Sequence, residues 1–128
     1  MQQKIQLENI IKDRKKVSTL IINVITQKMS VLEALKNYPK NIYDASLNTA
    51  FHALVHFEAD EDLRKKDALY KQEQDEYLEE IATTLAKGES LPVNIIKSYE
   101  KYHKESLIYP DVKDKNNIWQ RLKKIINL

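Results

Sequence analysis

The stretch DASLNTAFHALVHFEADEDLRKKDALYKQEQDEYLEEIATTLAK, residues 44–87, decides the fold because it contains neither glycine nor proline. A helix over the whole stretch can begin at a cap, Asp44 or Ser46, and end at Gly88. We therefore predict one unusually long central helix over about 44–87, which can kink in the polar stretch near 60–68. Its apolar positions recur at helical spacing and are Leu47, Ala50, Phe51, Leu54, Val55, Leu63, Tyr70, Tyr77, Leu78, Ile81, Ala82 and Leu85.

The composition of the whole chain favours the same class of fold. The 128 residues include one glycine, three prolines and no cysteine. A sheet joined by tight hairpins is disfavoured, since such turns need residues at positive φ. With 42% hydrophobic and 31% charged residues, the chain resembles a globular domain rather than a disordered one. We predict a single all-α domain over residues 1–128, built as a four- to five-helix bundle.

Three segments before this stretch also carry helix signals. Residues 2–12 form either a short separate helix or the start of the next one. Ser30 and Glu33 make a capping box, which predicts a short helix over 31–37. Residues 17–25 place five apolar side chains on one helical face, namely Val17, Leu20, Ile21, Val24 and Ile25.

Two more helices are predicted in the C-terminal third. Ser90 and Pro92 are typical of a helix start, and this helix continues to about residue 107. A turn over 109–111 separates it from a last helix, which begins at Asp114 or Asn116. The apolar face of that last helix holds Ile118, Trp119, Leu122, Ile125 and Ile126.

Histidine and carboxylate side chains form the best candidate site for chemistry. His52, His56 and Asp60 lie one turn apart on a helix, and two histidines at this spacing can bind one metal ion. Glu100 and His103 can add ligands from a facing helix. The full di-metal pattern is absent, because Glu-x-x-His occurs only once. We expect no cofactor unless this set holds a divalent metal; in the alternative interpretation the histidines flank the core.

Charge is unevenly distributed along a chain whose net charge is +2. Residues 58–80 hold ten acidic and four basic side chains, whereas both ends are basic. The acidic segment either packs beside the basic ends or forms a surface for a partner. Candidate partner-binding residues are Glu58, Glu61, Asp62 and Arg64. The leading hypothesis is therefore a non-enzymatic protein-binding module of regulatory, inhibitor or immunity type. Its partner is another protein or a second copy of this chain in a homodimer.

Basic clusters raise nucleic-acid binding as a further alternative. One holds Lys12, Arg14, Lys15 and Lys16, and the other holds Lys113, Lys115, Arg121, Lys123 and Lys124 around Trp119. We do not expect this function, because no basic recognition helix follows residues 17–37. No apolar run is long enough to span a membrane and no signal peptide is evident, so we expect a cytoplasmic protein.

Overall fold

A computed structural model describes residues 2–40 and 44–108, with side chains described for residues 4–40 and 44–100. All regular structure in these ranges is helical, which confirms the all-α prediction. The helices are α1 (Gln2–Ile25), α2 (Val31–Lys36), α3 (Ala45–Ala59), α4 (Glu61–Lys66), α5 (Ala68–Ala86) and α6 (Val93–Ile108). The predicted last helix and second basic cluster lie outside the described residues.

The predicted central helix is helical almost throughout but is divided into α3, α4 and α5. The two interruptions, at Asp60 and Asp67, fall within the stretch where a kink was predicted. Asp67 begins α5 by accepting the N–H of Tyr70 at 3.1 Å. The short α4 has no buried residue. A helix without an apolar face gains little stability from packing against the core. The chain turns a corner at α4.

The corner brings α5 back alongside α3 in the opposite direction. The hydroxyl of Tyr70 donates to the carboxylate of Asp60, and His56 shares a cavity with Gln74 and Tyr77. Residues later in α5 therefore face residues earlier in α3. α3 and α5 thus form a helical hairpin. The charged stretch lies at the corner between them, in contact with water.

The longest described helix is α1, which has 24 residues. It continues from residue 2 through the charged DRKK sequence at 13–16, so residues 2–12 belong to one long helix. It makes its most extensive contacts with α5 and runs antiparallel to it. Ser18 donates to the buried carbonyl of Ala82 at 2.7 Å, and these two small residues allow the helices to approach closely.

The core lies where α1, α3 and α5 meet, with α2 packed at one side. Its largest completely buried apolar side chains come from these three helices and confirm most of the predicted apolar positions, whereas Leu63, which was also predicted, is 48% exposed on α4. They are Val17, Ile21, Leu47, Leu54, Leu78, Ile81 and Leu85.

Three predicted helix ends are present in the structure. The hydroxyl of Ser30 accepts the N–H of Glu33 at 3.1 Å at the start of α2. Asp44 caps α3 by accepting the N–H of Ser46 at 3.0 Å. Gly88 follows α5 with a φ of +75°, and the N–H groups of residues 88 and 89 bond back to the carbonyls of residues 85 and 84. This is the Schellman arrangement, in which glycine is favoured.

The sixth helix runs in the same direction as α3. At its start, the N–H of Leu91 donates to the hydroxyl of Ser46 at 2.9 Å. Further along, Ser98 and Tyr99 reach the level of His56. Among the described helices, none has the length and apolar content needed to cross a membrane.

Candidate functional site

A groove lies between the turn after α1 and the corner formed by α3, α4 and α5. Its volume is about 730 Å³. Three of the four predicted partner-binding residues, Glu58, Glu61 and Arg64, line it, whereas Asp62 is exposed on α4 and does not. The other lining residues are Val24, Gln27, Lys28, Met29, Ser30, Val31, Glu33, Phe57, Lys65, Ala68 and Lys71.

The groove combines apolar and charged side chains. Val24, Val31 and Phe57 are each at most 6% exposed and belong to the core cluster. Charged side chains from α2, α3, α4 and α5 stand around them. The accessible lining is therefore mainly polar and charged, with the larger apolar side chains mostly buried beneath it.

Arg64 has a structural role in addition to lining the groove. Its guanidinium donates to the carbonyl of Phe57 at 2.7 and 3.2 Å, and it lies 3.5 Å from the centre of the Phe57 ring. That carbonyl belongs to the last turn of α3, where backbone acceptors have no partner within the helix. Arg64 therefore fixes the angle between α3 and α4, and so fixes one wall of the groove.

Two lysines of the groove wall are engaged by carboxylates on their own helices. Lys65 pairs with Glu61 at 3.2 Å, and Lys71 pairs with Asp75 at 2.7 Å. Both are i, i+4 pairs; the first is exposed and the second is partly buried, and pairs of this spacing contribute little to stability. Their effect is to reduce the positive charge that the wall presents to a partner.

The outer face of α5 continues the acidic surface away from the groove. Glu73, Glu76, Glu79 and Glu80 are all exposed, and among the described side chains no cation forms an ion pair with them. These four side chains carry much of the negative charge of residues 58–80. This face lies opposite the α5 side chains that pack on α1.

The predicted metal-ligand set is only partly brought together in the described structure. His56 Nε2 lies 3.3 Å from Asp60 Oδ2, and Tyr70 donates to the same carboxylate oxygen. His52 lies beside Phe51 with its ring at 88° to the phenyl ring, and Glu100 is exposed.

Within the described side chains, no group of three or more histidines and carboxylates could hold a metal ion. The side chain of His103 lies outside the described residues. The five-residue set His52, His56, Asp60, Glu100 and His103 therefore stays a prediction.

A second, smaller cavity lies where α3, α5 and α6 meet. It has a volume of about 330 Å³ and is lined by His56, Gln74, Tyr77, Ser98 and Tyr99. The rings of Tyr77 and Tyr99 are 6.1 Å apart. Burial raises the pKa of Tyr77 above its ordinary value, and a hydrogen bond with Tyr99 partly opposes that shift. The cavity therefore contains neutral hydrogen-bonding groups and one imidazole that is paired with Asp60.

One member of the first basic cluster has a different role from the one predicted. The guanidinium of Arg14 forms two hydrogen bonds to Asp44, at 2.9 and 3.2 Å, and a third to the carbonyl of Gly88 at 3.0 Å. The side chain of Asp44 is 4% exposed. We call this arrangement the Arg14 clamp, since it joins α1 to the start of α3 and the end of α5. The other three members, Lys12, Lys15 and Lys16, are exposed.

The Arg14 clamp was not predicted from the sequence, although one signal was present. Arg14 is three residues from both Ile11 and Val17, so it lies on the same helical face as the apolar stripe of α1. A charged residue at such a position is usually paired when it is buried.

Comparison with known proteins adds nothing further, since no family model, curated protein or solved structure matches this chain.

Proposed function

We propose that this chain is a non-enzymatic protein-binding module that holds its partner in the groove at the α3–α4–α5 corner. The observation that carries the proposal is that Glu58, Glu61 and Arg64, chosen from the sequence as partner-binding residues, line one groove with an apolar floor. A regulatory, inhibitor or immunity-type role fits such a site.

The chemistry of the groove favours an amphipathic segment of a partner protein. Apolar side chains from one face of such a segment can pack on Met29 and Ala68, the apolar lining residues that remain partly exposed, as helices do when they bind in grooves. Its basic side chains can pair with Glu33 and Glu58 at the rim. Charge complementarity of this kind increases association rates and selects among partners.

A pair of charge-reversal variants tests the proposal. Glu58→Lys combined with Glu61→Lys changes the groove, whereas Glu79→Lys combined with Glu80→Lys makes the same change in net charge on the outer face of α5. A photo-reactive residue placed at Ala68, which lines the groove, cross-links whatever protein occupies it. We expect the cross-linked product to be lost in the groove variant and retained in the control.

Equal loss of the cross-linked product in both variants would show that only the overall charge matters. It would refute the groove as the binding site. Sedimentation equilibrium of the same proteins tests the homodimer. If a second copy is the partner, the wild type and the outer-face control will dimerise, and the groove variant will be monomeric.

Metal binding is the alternative function, and the approach of His56 to Asp60 at 3.3 Å is the observation that favours it. Equilibrium dialysis against zinc measures it directly. One zinc ion retained per chain by the wild type, and lost on His52→Ala with His56→Ala, would replace the protein-binding proposal with a metalloprotein. Zinc retained equally by both proteins would exclude these histidines as ligands.

A further inference from the structure

The path of α6 determines where the remaining chain emerges from the bundle. α6 is parallel to α3, and Tyr99 lies at the level of His56. Ile108, the last residue of α6, is nine residues further on, which corresponds to roughly 14 Å of helix. Ile108 therefore lies beyond Asp60, the residue that follows α3. This is the end of the bundle where α4 forms the corner.

Two large apolar side chains are exposed at this same end. Leu63 on α4 is 48% exposed, and Leu69 in the first turn of α5 is 65% exposed. They lie within residues 58–76, where eight acidic side chains outnumber four basic ones. We call residues 58–76 the acidic corner. Exposed leucines among carboxylates form a surface suited to a basic, amphipathic segment.

The chain itself supplies a segment of this composition. Residues 109–128 lie outside the described part of the structure, and their sequence contains five Lys or Arg and two Asp. Their apolar residues recur at helical spacing from Ile118 to Ile126, with Trp119 among them. Twenty residues are more than enough to reach from Ile108 to α4, since an extended residue spans about 3.3 Å.

We propose that residues 109–128 bind the acidic corner of their own chain and cover Leu63 and Leu69. Ile5 and Leu7, an exposed apolar pair on α1, are less suitable. They lie at the opposite end of the bundle, because Ile11 contacts Gly88, and the N-terminal 40 residues carry eight basic and three acidic side chains. A basic segment is repelled there and attracted at the corner.

The inference does not depend on the proposed function, since it requires no second protein. Its failure would leave the groove proposal intact, and failure of the groove proposal would leave this one intact.

Trp119 is the single tryptophan of the chain, so its fluorescence reports the position of this segment in the full-length protein. We expect blue-shifted emission and protection from acrylamide in the wild type. Leu63→Ser with Leu69→Ser should lower the docking equilibrium constant on the order of 10- to 100-fold, because the apolar contacts are lost. Emission should then shift toward that of tryptophan in water. Ile5→Ser with Leu7→Ser is the matched control and should leave the spectrum unchanged.

Three results would overturn the inference. The first is water-like emission in the wild type. The second is a spectrum that responds to Ile5→Ser with Leu7→Ser rather than to the corner variant. The third is protection that disappears on dilution, which would mean that the segment binds a second copy. Circular dichroism of each variant confirms that the helices remain, and all four substitutions are at exposed positions.

Discussion

Substitution of Asp44 gives the most direct test of what holds the helices together. Asp44 accepts two N–H groups from Arg14 and the backbone N–H of Ser46. The side chains of Asp44 and Arg14 are 4% and 15% exposed, so water screens this pair far less than it screens a surface ion pair. The Arg14 clamp therefore predicts a large loss of stability when one partner is removed.

The expected magnitude follows from what each variant leaves behind. Removing one partner of a buried ion pair costs about 3–5 kcal/mol, because the remaining charge is uncompensated. Arg14 keeps the carbonyl of Gly88 as an acceptor, so we expect Asp44→Asn to cost about 3 kcal/mol. Asn can still cap α3, whereas Asp44→Ala also loses the cap and should cost about 1 kcal/mol more.

Urea denaturation followed by circular dichroism measures these free energies of unfolding. A double-mutant cycle with Arg14→Met isolates the pair: the combined variant should cost less than the sum of the single variants by about 1.5–3 kcal/mol. If Asp44→Ala costs under about 1 kcal/mol, or if the two substitutions are additive, the clamp does not stabilise the fold and the reasoning is wrong.

Four smaller predictions concern single positions. Gln27→Gly should raise the free energy of unfolding by about 0.5–1 kcal/mol, because Gln27 has a φ of 62°, where glycine is not strained. A lower free energy of unfolding in the variant would contradict this. Gly88→Ala should lower it by about 1–3 kcal/mol, since a Cβ there would lie 2.8 Å from a methyl carbon of Ile11. Arg64→Met should cost about 1–2 kcal/mol and speed amide exchange in α4 before other helices; uniform exchange would argue against a local role. Burial raises the pKa of Tyr38 well above its usual value, so its neutral form is favoured in the folded state and stability should fall as pH rises from about 10 toward the folded-state pKa. Tyr38→Phe should reduce this loss of stability at alkaline pH. If stability depends on alkaline pH in the same way in the variant, Tyr38 is not the group responsible.

The helix ends could be predicted from sequence because they depend on neighbouring residues. Ser30, Asp44 and Gly88 act through backbone groups two to four positions away, and the residue types that can do this are few. The interruption at Asp67 has the same local cause, since its side chain accepts the N–H of Tyr70. The polar stretch was predicted, but Asp67 was not predicted as a cap.

The reversal of direction at the corner could not be read from residues 58–68 alone. It depends on contacts between distant residues, such as Tyr70 with Asp60, and on α5 finding its apolar partner in α1. The same limit explains the error over Arg14. Its charge was counted with its sequence neighbours, whereas its partners, Asp44 and Gly88, are 30 and 74 residues away.

The corner is also where binding should have the greatest effect on the molecule. Its short helix α4 buries no residue and is held by polar contacts, chiefly that of Arg64 with the carbonyl of Phe57. Segments with few buried apolar contacts open at a lower free energy than the rest of a protein. A ligand that binds only the closed corner must therefore slow amide exchange in α4, whether it is a partner protein in the groove or residues 109–128. α1 and α5 are held by core packing, so the same ligand should slow amide exchange in them far less than in α4. Equal slowing in all helices would place the binding site of the ligand elsewhere.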